Sequence, residues 1–174
     1  MFNFFKREKK PNADAGRLLA AILVVYPSVQ SVTYDSKSDM LELSFALNGN
    51  FSHEDFESFL SNVAESVETF HHIEGLGGAK IELDVEGVFG TCFLNVRREM
   101  ATLTCRELTL LTELVENYFG ENLIDETDDD FIDEEYIMAQ EDYLEQCLSN
   151  IRQLRIEGKL VGVREHERVV IYSG

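Results

Sequence analysis

Apolar residues recur at helical spacing in four parts of the chain. The clearest run follows Ser52 and Asp55, a pair typical of the capping box that starts a helix. Its apolar positions are Phe56, Phe59, Leu60, Val63, Val67 and Phe70. A second pair of this kind, Thr104 with Glu107, predicts a helix that stops near Gly120. The pattern also predicts helices over residues 13–26 and over about 133–155.

Strict alternation of apolar and polar residues predicts β-strands between these helices. The clearest case is Ile81, Leu83 and Val85, which alternate with Glu82, Asp84 and Glu86. Similar segments, separated by short turns, predict three hairpins. Their strands cover residues 29–35 and 40–47, then 81–86 and 91–98, and finally 160–164 and 168–172.

The predicted order is therefore α-ββ-α-ββ-α-α-ββ. Strands joined by tight turns favour an antiparallel sheet with helices packed mainly on one face, which is the α+β class. We divide the chain into a basic and aromatic tail (1–12), an α+β core (13–120) and an acidic connection (121–135). A C-terminal helix plus hairpin (136–174) is predicted to pack on the core.

The first twelve residues differ in composition from the rest. Aromatic residues precede a basic cluster, and Pro11 is expected to end any helix there. The tail residues with membrane-binding chemistry are Phe2, Phe4, Phe5, Lys6 and Arg7. They indicate a weak peripheral contact with an anionic membrane surface. The alternative is a frayed terminus that offsets some of the acidic charge.

Charge narrows the function classes. The formal net charge is −18, and such a chain repels the phosphate backbone, so direct nucleic-acid binding is not expected. A basic protein partner is favoured, with plain solubility as the alternative. Eight carboxylates stand out in one eleven-residue segment: Asp125, Glu126, Asp128, Asp129, Asp130, Asp133, Glu134 and Glu135. We predict that this segment contacts the partner.

A calcium loop is the competing interpretation of these carboxylates. In the EF-hand register, Asp130 occupies the position of the required glycine, and Tyr136 that of the final bidentate glutamate. No metal site is therefore predicted. A solvated acidic linker is the third alternative.

No complete catalytic set is present in the sequence, and no cofactor is predicted. The three cysteines form no CxxC pair, so a reducing, cytoplasmic location is expected. Cys105 lies just inside a predicted helix N-terminus, where a thiolate is stabilised. His71 and His72 end a predicted helix, and a structural or surface role is expected for both.

The order helix, hairpin, helix, hairpin, helix over about the first 120 residues resembles the type III secretion chaperone family in topology, without any shared motif. The resemblance implies a dimeric, effector-binding chaperone, although the C-terminal helix and hairpin depart from it. We expect a non-catalytic acidic binding or adaptor protein, chaperone-like or regulatory, that recognises a basic protein partner. Its oligomeric state is left open. The alternative is an enzyme with a carboxylate-based, divalent-metal-assisted site, for which Glu107, Asp133 and Glu135 are among the candidates.

Overall fold

A six-stranded antiparallel sheet carries the fold. The computed structural model describes residues 2–88, 90–125, 133–150, 157–166 and 168–173, with the backbone alone for residues 2–13 and 88. The strands form three hairpins and lie in the order β3-β4-β2-β1-β5-β6. Their bounds are β1 (Ser31–Asp35), β2 (Met40–Asn48), β3 (Ile81–Val88), β4 (Thr91–Glu99), β5 (Lys159–Glu165) and β6 (Arg168–Ser173). The predicted hairpins are thus confirmed.

Four helices of the described residues complete the α+β fold. They are α1 (Phe2–Val25), α2 (His53–Ile73), α3 (Cys105–Phe119) and α4 (Glu134–Ser149). Short 3-10 turns at Met100–Thr102 and Gly120–Asn122 flank α3. The described residues include no helix with both the length and the apolar character needed to cross a membrane.

The helices pack on one face of the sheet, which we call the inner face. Strand alternation places Leu43 of β2 beside Val32 of β1 and Val96 of β4, and all three are buried. Burying a side chain of this size contributes about 1.5–3 kcal/mol. The opposite, outer face is more polar, with the Arg97 Nε 2.5 Å from the Glu42 Oε2. The alternation predicted from the sequence therefore decides which face is covered.

Helix α1 lies close to β5 because a glycine makes room for it. A Cβ built at Gly162 would be 3.2 Å from the Leu23 Cδ1 and 3.0 Å from the Ile171 Cδ1. The buried Arg164 also ties this helix to the sheet, since its guanidinium donates to the carbonyls of Leu23 and Val29. Helix α4 then covers α1, with the Arg17 guanidinium 4.7 Å from the Tyr143 ring centroid.

Two helix boundaries differ from the expectation. Helix α1 begins at Phe2 and continues through Pro11, which was predicted to end any helix before residue 13. A proline inside a helix removes one backbone donor and costs about 3 kcal/mol, but the rest of the ladder can persist around it. Helix α4 ends at Ser149, before the predicted end at about residue 155. Residues 151–156 lie outside the described residues.

Candidate functional site

A buried polar network joins α2, β4 and α3. Arg98 of β4 donates two hydrogen bonds to the Glu107 carboxylate, from Nε to Oε2 at 2.6 Å and from Nη2 to Oε1 at 3.0 Å. The His71 Nε2 of α2 also contacts the Glu107 Oε1. The exposed fractions are 2% for Arg98, 0% for Glu107 and 5% for His71. Charged groups this deeply buried are rare unless they are paired.

The chemistry of the three side chains decides which groups donate and which accept hydrogen bonds in this network. Arg98 has only donors, and its remaining N–H groups reach the carbonyls of Glu99 at 3.3 Å and Thr102 at 3.4 Å. Glu107 beside the guanidinium is an acceptor, so the His71 Nε2 carries the hydrogen that it donates to Glu107. Removing one member of such a set leaves an uncompensated buried charge. The network therefore locks two helices onto the sheet.

Sequence reasoning missed this network, although a signal was present. The buried stripe of α2 continues from Val63 and Val67 to His71, at intervals of four residues. On β4, Arg98 follows Leu94 and Val96 on the inner face, where an apolar residue is the rule. A polar or charged residue in phase with each buried stripe indicates a partner inside the core.

The burial of Glu107 also changes the start of α3. The predicted capping box is half formed, since the Thr104 Oγ1 accepts from the Glu107 N–H at 3.2 Å. The Glu107 carboxylate turns inward to Arg98 instead of bonding the cap backbone. The other predicted box, Ser52 with Asp55, is complete.

A groove of about 390 Å³ lies where the end of α1 meets α3 and α4, and we call it the α3–α4 groove. Tyr26 forms part of its lining, and the Tyr26 Oη is 3.0 Å from the Thr109 Oγ1 and within 3.2 Å of the Cys105 carbonyl. Glu141 and Glu145 stand one turn apart on α4 and line the same groove. Burial is the main cause that raises the pKa of Tyr26 to about 12, and the Glu141 charge adds to it.

Cys105 in this groove is not the stabilised thiolate that its helix position predicts. Burial, followed by the charges of Glu145 and Glu141, raises the pKa of its thiol to about 11. Two carboxylates and partial burial thus outweigh the helix N-terminus, and the thiol stays protonated at neutral pH. All three cysteines are free and partly buried.

A larger groove of about 760 Å³ separates α2 from the start of β3, and we call it the α2–β3 groove. Its apolar lining comes from Val67 of α2, Leu76 and Ala79 of the connecting loop, and Ile81 of β3. Glu68 and His72 are exposed at its border. The sequence pattern placed Val67 and Ile81 in a helix and a strand and noted the two histidines, but it did not indicate a groove between them.

The acidic segment is described only at its two ends. Asp125 follows Ile124, whose N–H donates to the Ala46 carbonyl at 2.9 Å and so attaches the chain to the end of β2, beyond the residues that pair with β1. Asp133 caps α4 by accepting from the Glu135 N–H at 3.1 Å, and Glu134 and Glu135 are exposed in the first turn. Glu126, Asp128, Asp129 and Asp130 lie outside the described residues. Contact of this segment with a partner stays a prediction.

The tail residues Phe2, Phe4, Phe5, Lys6 and Arg7 belong to α1 by their backbone. Their side chains lie outside the description, so the membrane contact also stays a prediction.

Comparison of the chain with family models, curated proteins and solved structures finds no match. Within the described ranges, no three or more His, Cys, Asp or Glu side chains are grouped so that they could hold a metal ion.

Proposed function

We propose that the protein is a non-catalytic adaptor that recognises a basic surface of a protein partner, with the α3–α4 groove as the contact point. The observation that carries this proposal is the segregation of charge. Helices α2, α3 and α4 contain one Lys or Arg between them, Arg106, and its Nη1 lies 2.6 Å from the Glu74 Oε1. The exposed acids of these helices are Glu54, Asp55, Glu57, Glu65, Glu68, Glu113, Glu116, Glu134, Glu135, Glu141, Asp142 and Glu145.

On and beside the sheet, by contrast, two of the cations are paired with nearby carboxylates. Arg97 lies between Glu42 and Asp84, and Lys80 lies 3.0 Å from Glu82. The negative charge is therefore concentrated on helices α2, α3 and α4, whereas the sequence of α1 is net basic. A one-sided potential of this kind orients a basic partner before contact and accelerates its association.

The α3–α4 groove supplies the short-range part of the interaction. Among the described residues, neither Glu141 nor Glu145 has a Lys or Arg within ion-pair distance. A lysine or arginine side chain entering between them would bring its positive charge to two carboxylates, and its alkyl stem to Leu144 on the groove wall. Arg106 also lines this groove, but it is paired with Glu74, so the two carboxylates of α4 favour a cationic side chain of the partner.

The enzyme alternative has less support. Glu107, one of its candidate carboxylates, is buried and already held by Arg98, and Asp133 is engaged as a helix cap. A catalytic carboxylate has to reach its substrate, and the Glu107 side chain is 0% exposed.

The test uses labelled eight-residue oligolysine and oligoarginine probes with the full chain, and measures fluorescence anisotropy. We expect Glu141→Gln/Glu145→Gln to weaken binding at least fivefold. The control Glu54→Gln/Glu57→Gln removes the same charge at the start of α2 and should change binding less than twofold. Equal losses in the two variants would show nonspecific attraction by net charge and would overturn the proposal.

A further inference from the structure

The backbone of β3 is open on one side. β3 is an edge strand of the sheet, and within the described residues only β4 pairs with it. The β3–β4 hairpin pairs Val88 with Thr91 across a two-residue turn, so that pair exchanges backbone hydrogen bonds and every second pair after it does the same. The N–H and C=O groups of Ile81, Leu83 and Val85 therefore point away from β4, towards the open edge.

The two faces beside this edge differ in chemistry. On the inner face, the side chains of Ile81, Leu83 and Val85 are only partly buried, and the α2–β3 groove opens next to Ile81. On the outer face stand Glu82, Asp84 and Glu86, and Glu86 is exposed. A strand added here would meet apolar surface on one side and carboxylates on the other.

The acidic side chains also decide which strand can be added. Natural edge strands are commonly guarded by charges that repel wrong partners. Two β3 edges from two copies would bring like charges together, which is destabilising for residues directly opposite each other. A strand with Lys or Arg at alternate positions would instead form favourable cross-strand pairs.

We propose that the β3 edge binds an extended segment of a partner protein by strand addition, and that this segment alternates apolar residues with Lys or Arg. The backbone bonds supply affinity, while the groove and the outer carboxylates select the sequence. The apolar side chains of the segment lie against the inner face beside α2, and its basic side chains lie beside Glu82 and Glu86. This surface is separate from the α3–α4 groove, so either proposal can fail without the other.

The probe is a fluorescent, terminally blocked heptapeptide in which Lys and Val alternate, titrated into the full chain. Two N-methylated versions block opposite sets of backbone N–H groups, one on the three Val residues and the other on three Lys residues. Strand addition uses only one set, so one version should lose at least tenfold in affinity while the other stays within threefold. Equal binding of the two versions would overturn strand addition.

A variant pair tests the selection by charge. Glu82→Lys/Glu86→Lys should weaken peptide binding about tenfold, because two attractive cross-strand pairs become repulsive. Glu54→Lys/Glu57→Lys makes the same change in net charge on α2 and should have less than a twofold effect. Equal losses in the two variants would contradict the proposal. A dimer in sedimentation that the peptide dissociates would also contradict it, since the edge would then join two copies of this chain.

Discussion

Arg98, Glu107 and His71 are three polar residues in places that helical and strand patterns reserve for apolar ones. Each is more than nine-tenths buried, and each comes from a different element. A buried ion pair is weak evidence for net stability, because the desolvation cost offsets much of the attraction. Its geometric effect is clear, since the guanidinium and the carboxylate meet in one orientation only.

Removing one partner of this ion pair should therefore destabilise the protein far more than removing both. We expect Arg98→Met to lower the free energy of unfolding by about 3–5 kcal/mol, because Glu107 would keep a buried, uncompensated charge. The double variant Arg98→Met/Glu107→Leu should be more stable than Arg98→Met. Urea unfolding measures both. Two additive losses would show that Arg98 and Glu107 act independently.

Cys105 gives a second prediction at this scale. Because its pKa is raised to about 11, the thiol should react slowly with a disulfide reagent at pH 8. Glu145→Gln removes one charge that raises this pKa, so it should speed the reaction of Cys105. Labelling rates resolved by mass spectrometry measure this, with Cys92 and Cys147 as internal references. An unchanged rate in the Glu145 variant would contradict the electrostatic cause.

The same raised pKa has a consequence for stability. The folded protein holds the Cys105 proton more tightly than the unfolded chain, whose thiol titrates near its ordinary pKa of 9.0. The stabilising contribution of this group is therefore complete below pH 9 and is lost as the pH rises towards about 11. Cys105→Ser should flatten the fall in unfolding free energy over that window.

At the scale of elements, alternation predicted the hairpins well because each strand has one buried face. Ile81 to Glu86 of β3 and Leu41 to Leu47 of β2 lie in the strands expected for them. The order of the strands could not be predicted in the same way. The pairing of β1 with β5 joins residues far apart in the chain, such as Val32 and Gly162, and no local pattern encodes it.

The candidate site was less accessible to sequence reasoning. The α3–α4 groove forms where Tyr26, which follows α1, meets Cys105 of α3 and Glu145 of α4. Of these residues, the sequence singled out only Cys105, and only packing brings the phenol, the thiol and the carboxylate together. Predicting Cys105 from its helix position alone gave the wrong direction for its pKa.

The contact of α1 with β5 should be sensitive to a single methyl group. Gly162→Ala places a Cβ 3.0 Å from Ile171 and 3.2 Å from Leu23, and we expect a loss of about 1–3 kcal/mol from overpacking. The control is Gly77→Ala, since a Cβ there has no neighbour within 4 Å. Its unfolding free energy should stay equal or rise by about 0.4–1 kcal/mol. Chemical denaturation compares the two, and equal effects would contradict the close approach.

The start of α1 should matter little for stability. Among the described side chains of α1, the buried ones run from Ala15 to Leu23, and a deletion of residues 2–10 keeps all of them. We expect the thermal midpoint to change by less than about 2 °C, measured by differential scanning calorimetry. A loss of several degrees would show that these residues belong to the core. Co-sedimentation with anionic liposomes, compared with and without the deletion, tests the predicted membrane contact.

At the scale of the whole molecule, the net charge of −18 is distributed unevenly, since helices α2, α3 and α4 carry twelve exposed carboxylates and a single Lys or Arg. The acidic segment adds further carboxylates directly before α4 in the sequence. Long-range attraction from exposed charges is screened over about 8–10 Å at moderate salt.

Association with a basic partner should accordingly slow as salt rises. Replacing Asp128, Asp129 and Asp130 by Asn should reduce the association rate and leave the dissociation rate and the thermal midpoint almost unchanged. Surface plasmon resonance at several salt concentrations measures the two rates. Titration calorimetry with calcium is the control. A stoichiometric micromolar isotherm, absent in the triple variant, would replace the partner interpretation by a metal site.

The packing of α1 on β5 also has a consequence for folding during synthesis. Leu19 and Leu23 are synthesised long before Gly162 of β5, against which they pack, and before its neighbour Ile171 of β6. Until β5 and β6 are made, this part of the apolar face of α1 lacks its native cover. Contacts of such long sequence separation slow folding and prolong the exposure of apolar surface. The native packing of α1 on this part of the sheet therefore forms late, after most of these residues have been synthesised.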